Sequence, residues 1–220
     1  FPMSQPCRKV AGAIASGCSI ILKAAEETPA GAVHIARALH DVGLPPGVLN
    51  LVFGTPADIS DYLIRKDQVR LVALTGSTAV GKHIMARASE TVKKVFLELG
   101  GKSANIILDD ADLGSSLLSA LAVCFHAGQG CALNTRLLVP ANRQEEVEEL
   151  LKTYFGFISY GDPQAEGAIM GPQVNARQRE RVLSYIEQGK AEGARLLLGG
   201  GVPAHLDKGY YVEPTVFVDV

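Results

Sequence analysis

Short apolar runs and amphipathic stretches take turns along the chain, and that alternation predicts strands and helices in succession. Residues 6–16 are small and amphipathic, and Cys18-Ser19-Ile20-Ile21-Leu22 reads as a buried strand. Thr28 is placed to cap a helix that starts with Pro29 and carries Val33, Ala36 and Leu39 on one face. Gly43 and Pro45-Pro46 stop it. Strands are then expected over 48–53, 69–74 and 93–97, with helices over 56–65 and 77–89 between them. Past Gly100-Gly101 the pattern continues with strands over 105–108, 137–140, 196–198 and 211–218. Leu113, Leu117, Leu121 and Phe125 mark one side of a helix, and 143–154 and 177–192 read as two more. Strands separated by helices predict an α/β protein with a doubly wound, mostly parallel sheet. Two adjacent glycines between strands make a hinge, so residues 1–100 and 101–220 are expected as separate domains.

The bulk numbers narrow the partners. The 220 residues are 47% hydrophobic and 20% charged, with a formal charge of -2. Such a chain has no electrostatic reason to seek nucleic acid or an anionic membrane surface. The uncharged apolar stretch 10–22 is short of the ~20 residues that span a bilayer, and no basic segment precedes an apolar one at the start. Cys7, Cys18, Cys124 and Cys131 lack CxxC spacing and the density of a disulfide scaffold, so reduced thiols in the cytoplasm are expected. The five histidines show no metal-ligand spacing, and no metal is expected. The chain opens on Phe1 and closes on an apolar run at Val220, which suggests a portion of a longer polypeptide.

Candidate chemistry gathers at a few positions. Cys131 ends His126-Ala127-Gly128-Gln129-Gly130-Cys131, where two glycines permit a tight backbone approach and leave the thiol accessible. A thiol attacks as thiolate, so such a site must lower its pKa or supply a base. Alternatively Cys131 is a small buried hydrophobe, as Cys7, Cys18 and Cys124 are taken to be. Glu98 follows Val95-Phe96-Leu97, and desolvation there would raise its pKa and make it a usable base. An exposed or paired carboxylate at a strand end is the plainer option. Position favours function, because ligands of open α/β sheets bind outside the carboxyl ends of strands. Lys23 and Glu26 also leave a strand end, where a carboxylate can accept ribose hydroxyls and a lysine can donate to them; as surface charges they would be unremarkable.

Gly76-Ser77-Thr78-Ala79-Val80-Gly81-Lys82-His83 nearly matches the phosphate loop GxxxxGK[ST], with Lys82 in the lysine position. His83 stands where the Mg²⁺-binding hydroxyl belongs. Asn105-Ile106-Ile107-Leu108-Asp109 could imitate the accompanying acidic strand, so an ATPase-like nucleotide binder stays open. The other use of the segment is a helix N-terminus near Ser77 that faces the pyrophosphate of a dinucleotide. No GxGxxG occurs.

Taken in order, several pieces resemble the aldehyde dehydrogenase superfamily. They are Phe1-Pro2, Lys23-Ala24-Ala25-Glu26-Glu27-Thr28-Pro29, Leu74-Thr75-Gly76-Ser77-Thr78-Ala79-Val80-Gly81, Leu97-Glu98-Leu99-Gly100-Gly101-Lys102, and Gly128-Gln129-Gly130-Cys131. Gly209-Tyr210-Tyr211-Val212-Glu213-Pro214-Thr215 is similar to a later family segment. The resemblance implies the later part of an NAD(P)-binding domain in 1–100 and the earlier part of a catalytic domain in 101–220. It implies that Cys131 attacks an aldehyde carbonyl, that Glu98 activates the hydrolytic water, and that Lys9 supports the active site. By the same analogy Glu98 argues against a coenzyme A-acylating member.

For the cofactor the resemblance implies Lys23 and Glu26 at the adenosine ribose, Ser77 at the pyrophosphate, and Gly76, Gly81 and Leu99 around them. Glu26 would repel a 2′-phosphate, which favours NAD over NADP. The implied partners are a small aldehyde and, in the full-length protein, further copies of the chain. Ala24 stands where the family usually has proline, and Gly130 is an uncommon neighbour for the cysteine. The family's oxyanion asparagine would lie just upstream of Phe1, and its Glu-x-Phe-Gly-Pro segment beyond Val220. Loss of one oxyanion donor costs ~10²–10³ in rate, so these residues alone would turn over poorly. A catalytically silent relative is the remaining alternative, against which Cys131 and Glu98 speak.

Overall fold

Crossover helices of 12 residues bring the strands of the first half of the chain into parallel pairs, since parallel neighbours need a long connection on one face. The computed structural model describes residues 1–220, which cluster into two units, Phe1–Gly100 and Gly101–Val220. In the first unit, α1 (Ser4–Ala15) leads into β1 (Ile20–Lys23), α2 (Ala30–Asp41) and β2 (Leu49–Val52). Then follow α3 (Asp61–Arg65), β3 (Leu71–Gly76), α4 (Thr78–Ser89) and β4 (Lys94–Leu99). Val10, Leu22, Ala24, Ala32 and Ile35 form one buried cluster, and Ile64, Ile84 and Ala88 pack on Val72, Leu74 and Val95 in another.

Two local expectations give way here. Helix α2 begins after Pro29, which has no side-chain oxygen, and the anticipated Thr28 cap is not made. The stretch 56–65 is not one helix but a wide π-type turn, Pro56–Ser60, running into α3. Thr55 caps that turn by accepting from the Asp58 N–H at 3.3 Å.

The second unit contains β5 (Ala104–Ile106), α5 (Leu113–Ser116), β6 (Arg136–Leu138), α6 (Gln144–Gly156), α7 (Ala176–Ala191), β7 (Arg195–Leu198) and β8 (Val216–Val218). Leu113, Leu117, Cys124, Val147, Leu151 and Phe155 make its core. The single helix expected through Phe125 is instead the short α5 followed by a 3₁₀-type stretch, 117–128. Leu113 and Leu117 are buried as anticipated, but the backbone turns out of the helix at Phe125, whose ring is exposed. The closing strand is shorter than the apolar run, because Pro214 has no N–H for a ladder; Tyr211 and Val212 serve the core instead.

The protein is thus α/β, with β1–β2, β3–β4 and β5–β6 parallel and β7–β8 antiparallel. Hydrogen bonds form four separate two-stranded ladders rather than one continuous sheet. No helix is long and apolar enough to cross a membrane.

Candidate functional site

In the first unit, polar groups converge at the carboxyl ends of β3 and β4. The register pairs Thr75 with Glu98 and Gly76 with Leu99. Strand alternation turns Val95, Leu97 and Leu99 toward α4 and leaves Phe96 and Glu98 on the opposite face. Glu98 therefore lies within the strand, not after it, and it is half-buried rather than fully desolvated. Lys9 comes from α1 to donate 2.6 Å to Thr75 Oγ1, and Thr75 in turn donates 3.2 Å to Gln5 Oε1. Burial lowers the Lys9 pKa below the usual lysine range; the Arg8 charge adds to this and the Glu98 carboxylate opposes it. The structure thus gathers Lys9 and Glu98 around Thr75. Sequence reasoning passed over Thr75 and Gln5, whose role depends on a contact made 70 residues apart.

Ser77 caps α4: its Oγ accepts from the Val80 N–H at 3.3 Å, and the Gly81 N–H reaches its carbonyl at 2.9 Å. The amides of Thr78 and Ala79 are left as first-turn donors at a positive helix end, fit for an anionic phosphate. Gly81 has a different task from the phosphate contact its motif suggests. A Cβ there would stand 3.1 Å from both Leu99 methyls and 3.4 Å from Leu97 Cδ1, so glycine lets α4 lie close on β4.

The ATPase-like alternative fails at this point. A phosphate cradle needs the residues before its lysine in an open loop, whereas Thr78 to Gly81 are already helical. Lys82 stands in the helix, His83 pairs with Asp61 at 2.8 Å, and β5 pairs with β6.

At the end of β1, the Lys23 ammonium donates to the Glu26 carboxylate and, at 3.1 Å, to the Ala24 carbonyl. The Lys23 hydrogen bond is the main reason the Glu26 pKa lies below the ordinary carboxylate value. Such a partly exposed pair contributes ~0–1 kcal/mol to stability, so its two charges remain available to a ligand.

In the second unit, Cys131 follows a run of left-handed residues: His126 (φ 54°), Ala127 (φ 54°) and Gly128 (φ 72°). Only the last is a glycine, and each of the others costs on the order of 1–2 kcal/mol in that region. Gln129 answers part of the cost by donating to the His126 carbonyl through its backbone N–H (3.1 Å) and its Nε2 (2.9 Å). From the segment before α7, Gln173 Nε2 donates 2.8 Å to the Ala127 carbonyl, and the Val174 N–H donates 3.0 Å to Gln129 Oε1. Gly130 sits against Leu133, whose Cγ would lie 2.9 Å from an added Cβ. Cys131 itself is half-buried. Cys124 is fully enclosed, and burial pushes its thiol up to about 11. Against the expectation that they are buried, Cys7 and Cys18 are exposed. No group of three His, Cys, Asp or Glu side chains gathers that could hold a metal.

Polar groups at strand ends in one unit and a cysteine after a strained turn in the other belong to an α/β protein. Residues 1–220 match the sequence pattern of the Aldehyde dehydrogenase family, and the chain belongs to that family. Betaine aldehyde dehydrogenase of Brucella anthropi is 45% identical over 223 residues, spanning 100% of this chain and 46% of its own. Aldehyde dehydrogenase C of Pseudomonas syringae, solved as a C291A mutant with NAD+ and octanal, superposes with TM-score 0.97 at 41% identity, over 100% of this chain and 46% of that one. A Mycobacterium tuberculosis aldehyde dehydrogenase complexed with NAD+ gives 0.96 at 41% identity, over 100% and 45%. The chain therefore spans about half the length of the relatives it matches.

Proposed function

We propose that the protein to which this chain belongs oxidises an aldehyde to its carboxylic acid with NAD, using Cys131 as nucleophile and Glu98 as base. As thiolate, with its proton already given up to solvent, the Cys131 sulfur adds to the aldehyde carbonyl carbon and gives a thiohemiacetal anion, whose oxygen carries the former carbonyl electrons. Collapse of that adduct expels hydride from the same carbon and leaves a thioester on Cys131. NAD, when bound, supplies the acceptor for the hydride. Glu98 then takes a proton from water, the water oxygen adds to the thioester carbonyl, and the Cys131 sulfur departs as the acid forms. Lys9 supports this chemistry by anchoring α1 on Thr75, the residue paired with Glu98.

The α4 N-terminus fits a pyrophosphate, with Gly76 and Ser77 leading into it. Gly81 and Leu99 hold that helix end on its strand. Lys23 and Glu26 suit the adenosine ribose, and the Glu26 carboxylate would repel a 2′-phosphate, which supports NAD over NADP. A nucleophile that works as a thiolate belongs in a reducing compartment, which supports a cytoplasmic setting. Further copies of the intact protein are its proposed partners, by analogy with the family.

The observation that carries this reading is the family match over the entire chain, Cys131 and Glu98 included. The test is NADH formation from NAD and an aldehyde by the intact protein. Cys131→Ala is expected to abolish it while leaving NAD-dependent thermal protection intact. Undiminished turnover in Cys131→Ala would overturn the mechanism.

A further inference from the structure

We infer that Gln173 and Gln129 are positioning residues that hold the 126–130 turn in its strained form and so aim Cys131. The inference rests on the reading of Cys131 as nucleophile. Two non-glycine residues in succession at φ 54° do not persist unless their surroundings fix them. Here the fixing groups can be named. Gln173 is 6% exposed, and its Nε2 donates to the Ala127 carbonyl in the middle of the run. Gln129, directly after the run, donates twice to the carbonyl at its start and accepts from the Val174 N–H. The two glutamines thus form a reciprocal clamp: residue 173 grips the turn, and the turn's own residue 129 grips residue 174.

The backbone of 173 is itself tied down, because its N–H donates 2.9 Å to the Tyr210 carbonyl. That carbonyl adjoins Tyr211 and Val212 of the core. A rigid floor therefore sits under the strained turn, and Cys131 begins two residues past the last bond of the clamp. Burial of Gln173 serves this one contact, since its Oε1 has no protein partner.

The variants separate aim from folding. Gln173→Met keeps the length and the unbranched stem, removes the donor and also removes the unpartnered oxygen, so the core is expected to tolerate it. Gln129→Glu keeps an acceptor for Val174 and the backbone donor to His126, and loses only the side-chain donor. Freed from the clamp, the turn relaxes toward ordinary backbone, and the half-buried thiol becomes easier to reach but less well directed. In the intact protein, alkylation of Cys131 by iodoacetamide is expected to rise roughly 3–10-fold while kcat falls by a similar factor. KM for NAD and the slow labelling of enclosed Cys124 should not move.

The clamp is refuted if Cys131 labelling and kcat stay within about twofold of the parent in both variants. It is equally refuted if Cys124 labelling rises in step, which would mean that the unit has merely loosened. Activity surviving in Cys131→Ala would instead defeat the nucleophile reading, and the labelling ratio would still judge the turn.

Discussion

Gly81 on α4 faces Leu99 on β4 so closely that a methyl group on the glycine would stand 3.1 Å from both leucine methyls. The contact places the helix end capped by Ser77 directly beside the end of the strand that carries Glu98. The second glycine of a motif that reads as a phosphate loop therefore serves packing, and it fixes two proposed site elements relative to each other.

Gly81→Val is expected to push α4 off its strand and cost ~1–3 kcal/mol, as overpacking does. Calorimetry should show a lower Tm, and NAD should protect the variant less than the parent, because the Ser77 helix end moves with α4. An unchanged Tm would show that Leu97 and Leu99 yield freely.

Cys124 gives a pH signature in the second unit. Burial lifts its thiol from the ordinary 9.0 to about 11, so between those values the native state keeps a proton that the unfolded chain has lost. Stability is full below pH 9 and declines up to about pH 11, by ~3 kcal/mol at most. Urea midpoints across that window should drop in the parent. In Cys124→Ala they should start lower, for loss of core volume, and run flatter.

Lys9 gives the opposite slope in the first unit. Its pKa is lowered by burial first and Arg8 second, so as pH rises the native state releases this proton before the unfolded chain does. Stability from this group rises with pH in the window below the ordinary 10.5. Lys9→Met should remove the rise, which a pH series of thermal unfolding would detect. It should also lower kcat if the α1 anchor on Thr75 supports the chemistry.

Glu26→Gln removes the proposed charge against a 2′-phosphate while keeping a hydrogen-bond acceptor. The ratio of kcat/KM for NAD over NADP should fall about tenfold, the effect of ~1.4 kcal/mol. A constant ratio would place the discrimination elsewhere.

Much of the fold was legible because its signals are local. The apolar cores of β1, β3 and β4 lie where the runs predict them, and α4 begins beside Ser77, where a helix start is expected. Legibility failed wherever the deciding contact is distant or depends on the backbone. Nothing near Gln173 announces that it reaches Ala127, and nothing in Leu121 to Phe125 reveals that the helix breaks for a left-handed turn. Thr28 looked like a cap because capping residues and Pro29 stand in the right order, yet the helix start lies one residue late. Lys82 misled for a related reason: its motif names residue types, while phosphate binding needs a loop, and residues 78–81 form a helix here.

The pairing of Ile20 with Leu49, Leu71 with Lys94 and Ala104 with Arg136 gives every parallel ladder a partner only one crossover away. A ribosome making this stretch would release both strands of each ladder before much of the next had emerged. Assembly can thus proceed vectorially, with little entropy spent on closing long loops. Gln173, joined to Ala127 across 46 residues, would fall into place late, so the turn ahead of Cys131 would be among the last features to set.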